Sequence, residues 1–224
     1  MPGFLDPERY DLLAAFGVTV RLALWSAAGA LVWGTVLAAL RVSPVPLMRT
    51  FGTVYVNVVR NIPLAVIIVG MSLGLHQTMG VALGGGTAKD TGFRLAALGL
   101  AGYTATFVCE SLRSGINSVP VGQAEAARAL GLGFRQVLTL VVLPQAFRTV
   151  VTPLATVLMS LTKNTTVAST IGVAEASLLM KEMIENESDA IFAVFAVFAL
   201  GFVCLTLPTA LVLGRVSRRV AVRR

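Results

Sequence analysis

Apolar and polar positions in this chain alternate on the scale of whole helices, not of single strands. Apolar stretches near 20 residues, the length that crosses a bilayer as a helix, fall at about 16–40, 57–75, 94–112, 150–173 and 190–213. The pattern predicts an all-α membrane protein of five transmembrane helices, a single transmembrane domain over 1–224. The second stretch is interrupted early by Arg60, Asn61 and Pro63, and a proline there permits a kink or a late start. Further along it, Gly70 and Gly74 form a small-xxx-small pair of the kind that lets helices approach closely. The longest polar insert, 113–149, separates the third and fourth stretches and has a helical pattern of its own.

Composition agrees with lipid as the solvent. Hydrophobic residues make up 56% of the chain and charged residues 13%, whereas a soluble domain carries about 25% charged; mean hydropathy is +0.82. Cys109 and Cys204 both lie within apolar runs, which fits small buried hydrophobes and gives no disulfide framework or metal site. The net charge of +7 sits at the ends of apolar runs without interleaved aromatics, so nucleic acid is not an expected partner. Residues 1–15 contain Asp6, Glu8 and Asp11 and lack a basic start, and they read as retained, not as a cleaved signal.

Most basic residues flank the spans on one side: Arg41, Arg49 and Arg60, then Arg113, Arg128, Arg135 and Arg148, then Arg215, Arg218, Arg219, Arg223 and Arg224. The other side holds Arg9, Lys89, Arg94 and Lys181 among many carboxylates. Basic loops stay in the cytoplasm, and five spans put the termini on opposite sides. The amino end is therefore expected outside and the carboxyl end in the cytoplasm. The outer loop 76–93, with Gly84-Gly85-Gly86, is expected to be mobile.

The cytoplasmic insert carries the strongest pattern. Pro120 marks a helix start, and residues 123–130, rich in alanine, are strong helix formers. Glu125 and Arg128 stand at i, i+3 and can pair. Gly131 follows as a terminator able to take positive φ, and Gly133 allows a second tight turn. A second helix resumes near Phe134 and runs toward Pro144. The expected product is a helical elbow whose small side chains, Ala124, Ala126, Ala127 and Ala129, can seat in a groove of another protein; the alternative is an interfacial hairpin with no partner.

The segment over 118–144 resembles the coupling loop of ABC importer permeases at Glu125, Ala126, Ala127, Gly131, Val141 (in place of the usual isoleucine), Leu143 and Pro144. Flanking blocks resemble the polar amino-acid branch of that family: Arg60-Asn61-Ile62-Pro63-Leu64, Glu110 through Ile116, Ser118 through Gln123, and Lys163-Asn164-Thr165-Thr166. Ile62 departs from the small polar residue common at its position. Three longer strings, Arg41 to Val45, Glu110 to Asn117 and Leu161 to Asn186, are similar to permeases of the actinobacterial glutamate uptake system. The resemblance implies a type I importer permease fold and import of a polar amino acid, with L-glutamate first and glutamine or a basic amino acid as alternatives. Implied partners are a dimer of ATPase subunits, which bind ATP and Mg, a second and non-identical permease, and an extracytoplasmic amino-acid-binding protein. The implied coupling residues are Gln123, Glu125, Ala126, Ala127, Arg128, Gly131 and Pro144.

Charges within spans are costly and each needs a reason. Lys163, Asn164, Thr165, Thr166 and Ser169 offer ammonium, amide and hydroxyl groups to a zwitterion deep in the fourth span, and Glu110 and Arg60 join them as candidates for the substrate path. The competing reading pairs Lys163 with Glu110 or Glu175 and uses the polar run for hydrogen bonds between helices. Arg21 is expected to snorkel to the outer interface. His76 is the single histidine, which argues against a metal site, and no phosphate-loop spacing occurs, so nucleotide is bound elsewhere. An ion-coupled secondary transporter would need an internal repeat, which is not visible. An intramembrane protease built on Ser72 and His76 lacks an accompanying oxyanion motif.

Overall fold

The computed structural model of the chain describes residues 9–83 and 87–220, and among them every regular element is helical. Helix α1, Leu12–Val42, begins where Asp11 accepts a hydrogen bond from the Ala14 amide at 2.8 Å, satisfying one of the free N–H groups of the first turn. Helix α2, Pro46–Asn61, and helix α3, Leu64–Gly70, follow; α3 continues as a π-helical stretch over Met71–Thr78. The expected second span is thus divided at Ile62-Pro63, where the two arms meet at 102°. Pro63 imposes extended backbone on its predecessor, and Ile62 has φ −93° and ψ 130°. Helix α2 is amphipathic, with Gly52 and Val56 buried and Leu47, Phe51, Val54 and Val58 exposed.

Helix α4, Ala88–Asn117, starts before the apolar stretch at 94 because Thr87 and Asp90 form a reciprocal capping box, which outweighs the hydropathy lost to Lys89 and Arg94. Gly84–Gly86 of the outer loop lie outside the described residues. Two short helices, α5 (Val121–Ala129) and α6 (Phe134–Gln136), make the insert. A π turn, Val137–Val142, then joins α6 to α7, Leu143–Asn164, so helix continues from Phe134 past Pro144. The second arm of the elbow therefore runs on as the start of the fourth span. The π turn lies immediately before the position where the missing proline N–H would break an α-helix.

Beyond α7 a 3₁₀ turn, Thr165–Ile171, ends at Gly172 with φ +76°. Helix α8, Ala176–Asn186, lies where the hydropathy pattern leaves a loop, and α9, Ile191–Val220, completes the described chain. Among the described residues four helices are long and apolar enough to span a membrane, or five where the bent α2–α3 pair is counted as one span.

The centre of the fold is a close pair, α1 against α4. A Cβ on Gly29 would lie 3.0 Å from the Ala101 Cβ, and one on Gly34 would lie 2.6 Å from the Val108 Cβ. Residue numbers rise together along this contact, so α1 and α4 run parallel and α3 must return between them. It does so with Ile68 and Met71 against Gly99. The small-residue contacts expected of Gly70 and Gly74 are not made among the described residues, where nothing lies within 4 Å of a Cβ at either. A central apolar core joins Leu22, Ile68, Ala96, Leu100, Leu161 and Ala168. At the end away from the insert, Phe16 stacks on Phe198 with ring centroids 5.9 Å apart and meets Phe202 edge-on at 5.4 Å, fastening α9 to the start of α1.

Candidate coupling elbow and substrate path

The elbow is built from short-range chemistry. Gly131 has φ +83°; its amide donates to the Arg128 carbonyl at 2.9 Å and that of Leu132 to the Ala127 carbonyl at 3.2 Å. This is the paired-bond C-terminal motif that needs a left-handed residue just past the helix. Gly133 restarts the chain, its amide donating to Gln136 Oε1 at 3.0 Å. Ala127 is buried, as is Val137 in the π turn, while Glu125, Ala126, Arg128 and Ala129 are exposed. Glu125 and Arg128 form no ion pair among the described residues. What ties α5 to the span is Gln145, whose Nε2 donates to Gln123 Oε1 at 2.6 Å and to the Val141 carbonyl at 3.0 Å. Pro144 is exposed beside it.

Two apolar side chains not singled out in the sequence stand on the elbow's outer surface. Leu130 is 83% exposed and Phe134 is 73% exposed. Their signal was legible: each flanks the Gly131-Leu132-Gly133 turn, where a large apolar side chain has no neighbouring helix to cover it. Exposed apolar groups beside exposed charges give a surface suited to a protein groove.

Glu110 and Arg60 are brought together, in a cluster larger than the sequence indicated. The Glu110 carboxylate pairs with Arg41 of α1, with Arg113 at 3.3 Å and with Arg60 at 3.8 Å. Arg60 also lies over the Phe107 ring, 5.1 Å from its centroid. One carboxylate thus gathers guanidinium groups from α1, α2 and α4 beside the bend at Ile62-Pro63.

Lys163 stands apart from Glu110 and Glu175, the two carboxylates that the competing reading pairs with it. Its side chain is exposed and makes no ion pair or hydrogen bond among the described residues, although Leu161, two positions earlier, is in the central core. Asn164 beside it is half-buried. The hydroxyls that follow bond mainly within their own segment: Thr165 to the Thr162 carbonyl at 2.8 Å, Thr166 to the Lys163 carbonyl at 2.9 Å and Ser169 to the Thr166 carbonyl at 2.8 Å. Hydrogen bonding between helices therefore does not account for this run, with one exception: Lys181 Nζ of α8 donates to Ser169 Oγ at 2.9 Å.

Glu175 is the buried acid among the described residues, with no exposed surface. It caps α8 by accepting from the Ser177 and Leu178 amides at 2.9 and 3.0 Å, and Thr19 of α1 accepts from the Ala176 amide at 3.1 Å. Burial pushes the Glu175 carboxyl above the ordinary range, opposed by these amides, the Thr19 hydroxyl and the nearby Lys181 charge. The pattern Ala176, Leu179, Met180, Met183 and Ile184 was an amphipathic helix signal preceded by an acidic cap. Elsewhere, Arg21 bonds the Gly17 carbonyl at 3.4 Å, and His76 Nδ1 lies 3.1 Å from the Val81 carbonyl. No group of metal-ligating side chains occurs among the described residues.

Comparison with known proteins places this architecture. The family model for the binding-protein-dependent transport system inner membrane component matches residues 30–222. The glutamate transport system permease protein GluC of Corynebacterium glutamicum is 54% identical over 96% of each chain. The probable glutamine ABC transporter permease protein GlnM of Bacillus subtilis is 32% identical over 86% of this chain and 85% of its own length. The glutamate/aspartate import permease protein GltJ of Escherichia coli is 31% identical over 92% and 86%. Among solved structures, an amino acid ABC transporter crystallised with histidines superposes with a TM-score of 0.84 at 24% identity, covering 98% of this chain and 99% of that one. The MetNI methionine ABC transporter gives 0.75 at 19% identity over 97% and 99%; these two likenesses establish the fold. With the family model matched over residues 30–222 and relatives above 30% identical along most of their length, this chain belongs to the family of binding-protein-dependent transport system inner membrane components.

Proposed function

We propose that this chain is a permease subunit of an ATP-driven importer in a bacterial plasma membrane, with L-glutamate as cargo. The observation that carries the cargo is the 54% identity to GluC across 96% of both chains. The elbow of α5 and α6 docks on a separate ATPase subunit, one of a pair that binds ATP and Mg. The amino end faces outside and the carboxyl end the cytoplasm, as the arginine-rich flanks require. A binding protein delivers the amino acid to the outer face, and ATP-driven movement of the elbow rocks the spans between outward- and inward-open states.

Lys163 supports a path shared with a second, non-identical permease. An exposed, unpaired ammonium within a span is expensive against lipid, so this face is covered by water and another subunit. There Lys163 and Asn164 present an ammonium and an amide to a carboxylate, while Glu110 and Arg60, tied up in the arginine cluster, act lower in the path by holding the bend. The test is uptake of labelled L-glutamate in a strain deleted for the native system. Wild type should restore uptake that excess unlabelled L-glutamate competes away and glutamine or arginine does not. Lys163→Met should cut it by about tenfold to a hundredfold, the loss of one charge-assisted contact at about 1.5–3 kcal/mol. Unchanged kinetics in Lys163→Met would remove the direct role, and competition by glutamine alone would reassign the cargo.

A further inference from the structure

We propose that a groove between the elbow end of α4 and α7 binds one anionic phospholipid of the cytoplasmic leaflet, with an acyl chain along Leu112, Phe147 and Leu154 and the phosphate on Arg148. The cavity has a volume of ≈ 550 Å³, and Arg148 is the one polar residue among those that line it. Its depth is set by the helices around it. A Cβ on Gly115 would touch Val150, and Ser118 Oγ lies 3.1 Å from Thr149 Oγ1. Residues 148–150 of α7 are therefore level with the last turn of α4, which ends at Asn117. The choice of leaflet rests on the proposed orientation, with the elbow in the cytoplasm.

Charge decides what fills the groove. The Arg148 side chain is exposed and has no ion pair or hydrogen bond among the described residues, unlike Arg41, Arg60 and Arg113, which share Glu110. From 111 to 174 the single carboxylate is Glu125, which sits exposed on α5, so the segment that carries Arg148 pairs it with no anion among the described residues. An apolar slot with a lone cation at its rim presents two chemistries in the order in which a phospholipid carries them. Basic pockets between spans on the cytoplasmic side bind anionic head groups in this way. A packed protein helix would instead have to bring a carboxylate to the rim of an otherwise apolar face.

The test uses the intact transporter, purified with its co-assembled subunits and placed in nanodiscs of phosphatidylcholine with or without phosphatidylglycerol. Native mass spectrometry should find phosphatidylglycerol retained on this chain. Arg148→Gln should weaken that retention about fivefold, one arginine–anion contact near the surface, and Arg148→Lys should keep most of it. Folding is checked by co-assembly, and lipid retention is read independently of cargo, so a wrong cargo would leave this result standing. Equal retention in wild type and Arg148→Gln would overturn the proposal. So would efficient cross-linking of a Phe147→Cys variant to the second permease, which would show the groove filled by protein.

Discussion

Gly131→Val should reduce uptake by about tenfold or more while leaving the chain in the membrane at near-normal amount. The left-handed conformation costs an L-residue about 1–2 kcal/mol, and β-branching makes it worse. Gly131 has φ +83°, and a Cβ placed on it would meet nothing within 4 Å, so the entire penalty falls on the backbone. To relieve it the turn must leave the left-handed region, which breaks the bonds from Gly131 to Arg128 and from Leu132 to Ala127. Helix α5 then loses its fixed angle to α6, and movement of the elbow no longer reaches the fourth span. Gly131→Asn, a residue that tolerates positive φ, should keep most of the activity. Uptake and membrane abundance measured together separate the outcomes, and normal uptake in Gly131→Val would remove the elbow from the coupling path.

Gly115→Ala should destabilise the fold by forcing α4 and α7 apart. Its Cβ would lie 2.0 Å from Val150 Cγ2, 3.0 Å from the Ala146 carbonyl and 3.3 Å from Thr149 Oγ1. Neither backbone nor a β-branched side chain can yield that distance, so α4 and α7 must separate at the root of the elbow. Overpacking of this kind costs about 1–3 kcal/mol, and the Ser118–Thr149 contact at 3.1 Å is lost with it. A lower Tm in detergent and less chain in the membrane are the expected readouts. Because the worst clash is with one methyl group, Val150→Ala should recover much of the loss in the double variant. A Gly115→Ala protein as stable as wild type, or one that Val150→Ala makes worse, would show that the helices do not cross at this distance.

What the sequence revealed and what it hid divide along physical lines. The long runs that became α1, α7 and α9 are legible because lipid selects for length and apolarity alone. The start of α4 is not, since Lys89, Asp90 and Arg94 depress the hydropathy of a turn that a local capping box defines. Helix α2 escapes the same measure because its apolar face, Leu47, Phe51, Val54 and Val58, is only one side of it; the i, i+3, i+4 spacing held that information. The turn at Gly131 was readable since its requirement is a property of one residue. The gathering of Arg41, Arg60 and Arg113 on Glu110 was not, because it depends on how three separate helices pack. For the same reason the competing reading of Lys163 as an ion-pair partner is not met: Glu110 is taken by arginines, and Glu175 caps α8.

The central claim, that α5 is the point where a separate ATPase meets this chain, is tested most directly by a cysteine at Ala126, an exposed position on that helix. Cys109 is buried, and the exposed Cys204 would be replaced by Ser. In the purified complete transporter, a short bifunctional thiol reagent should join Ala126→Cys to the ATPase subunit, and the site should resist labelling by a bulky maleimide until the complex is dissociated. An Ala126→Cys chain that never cross-links to the ATPase and labels equally well before and after dissociation would contradict the account.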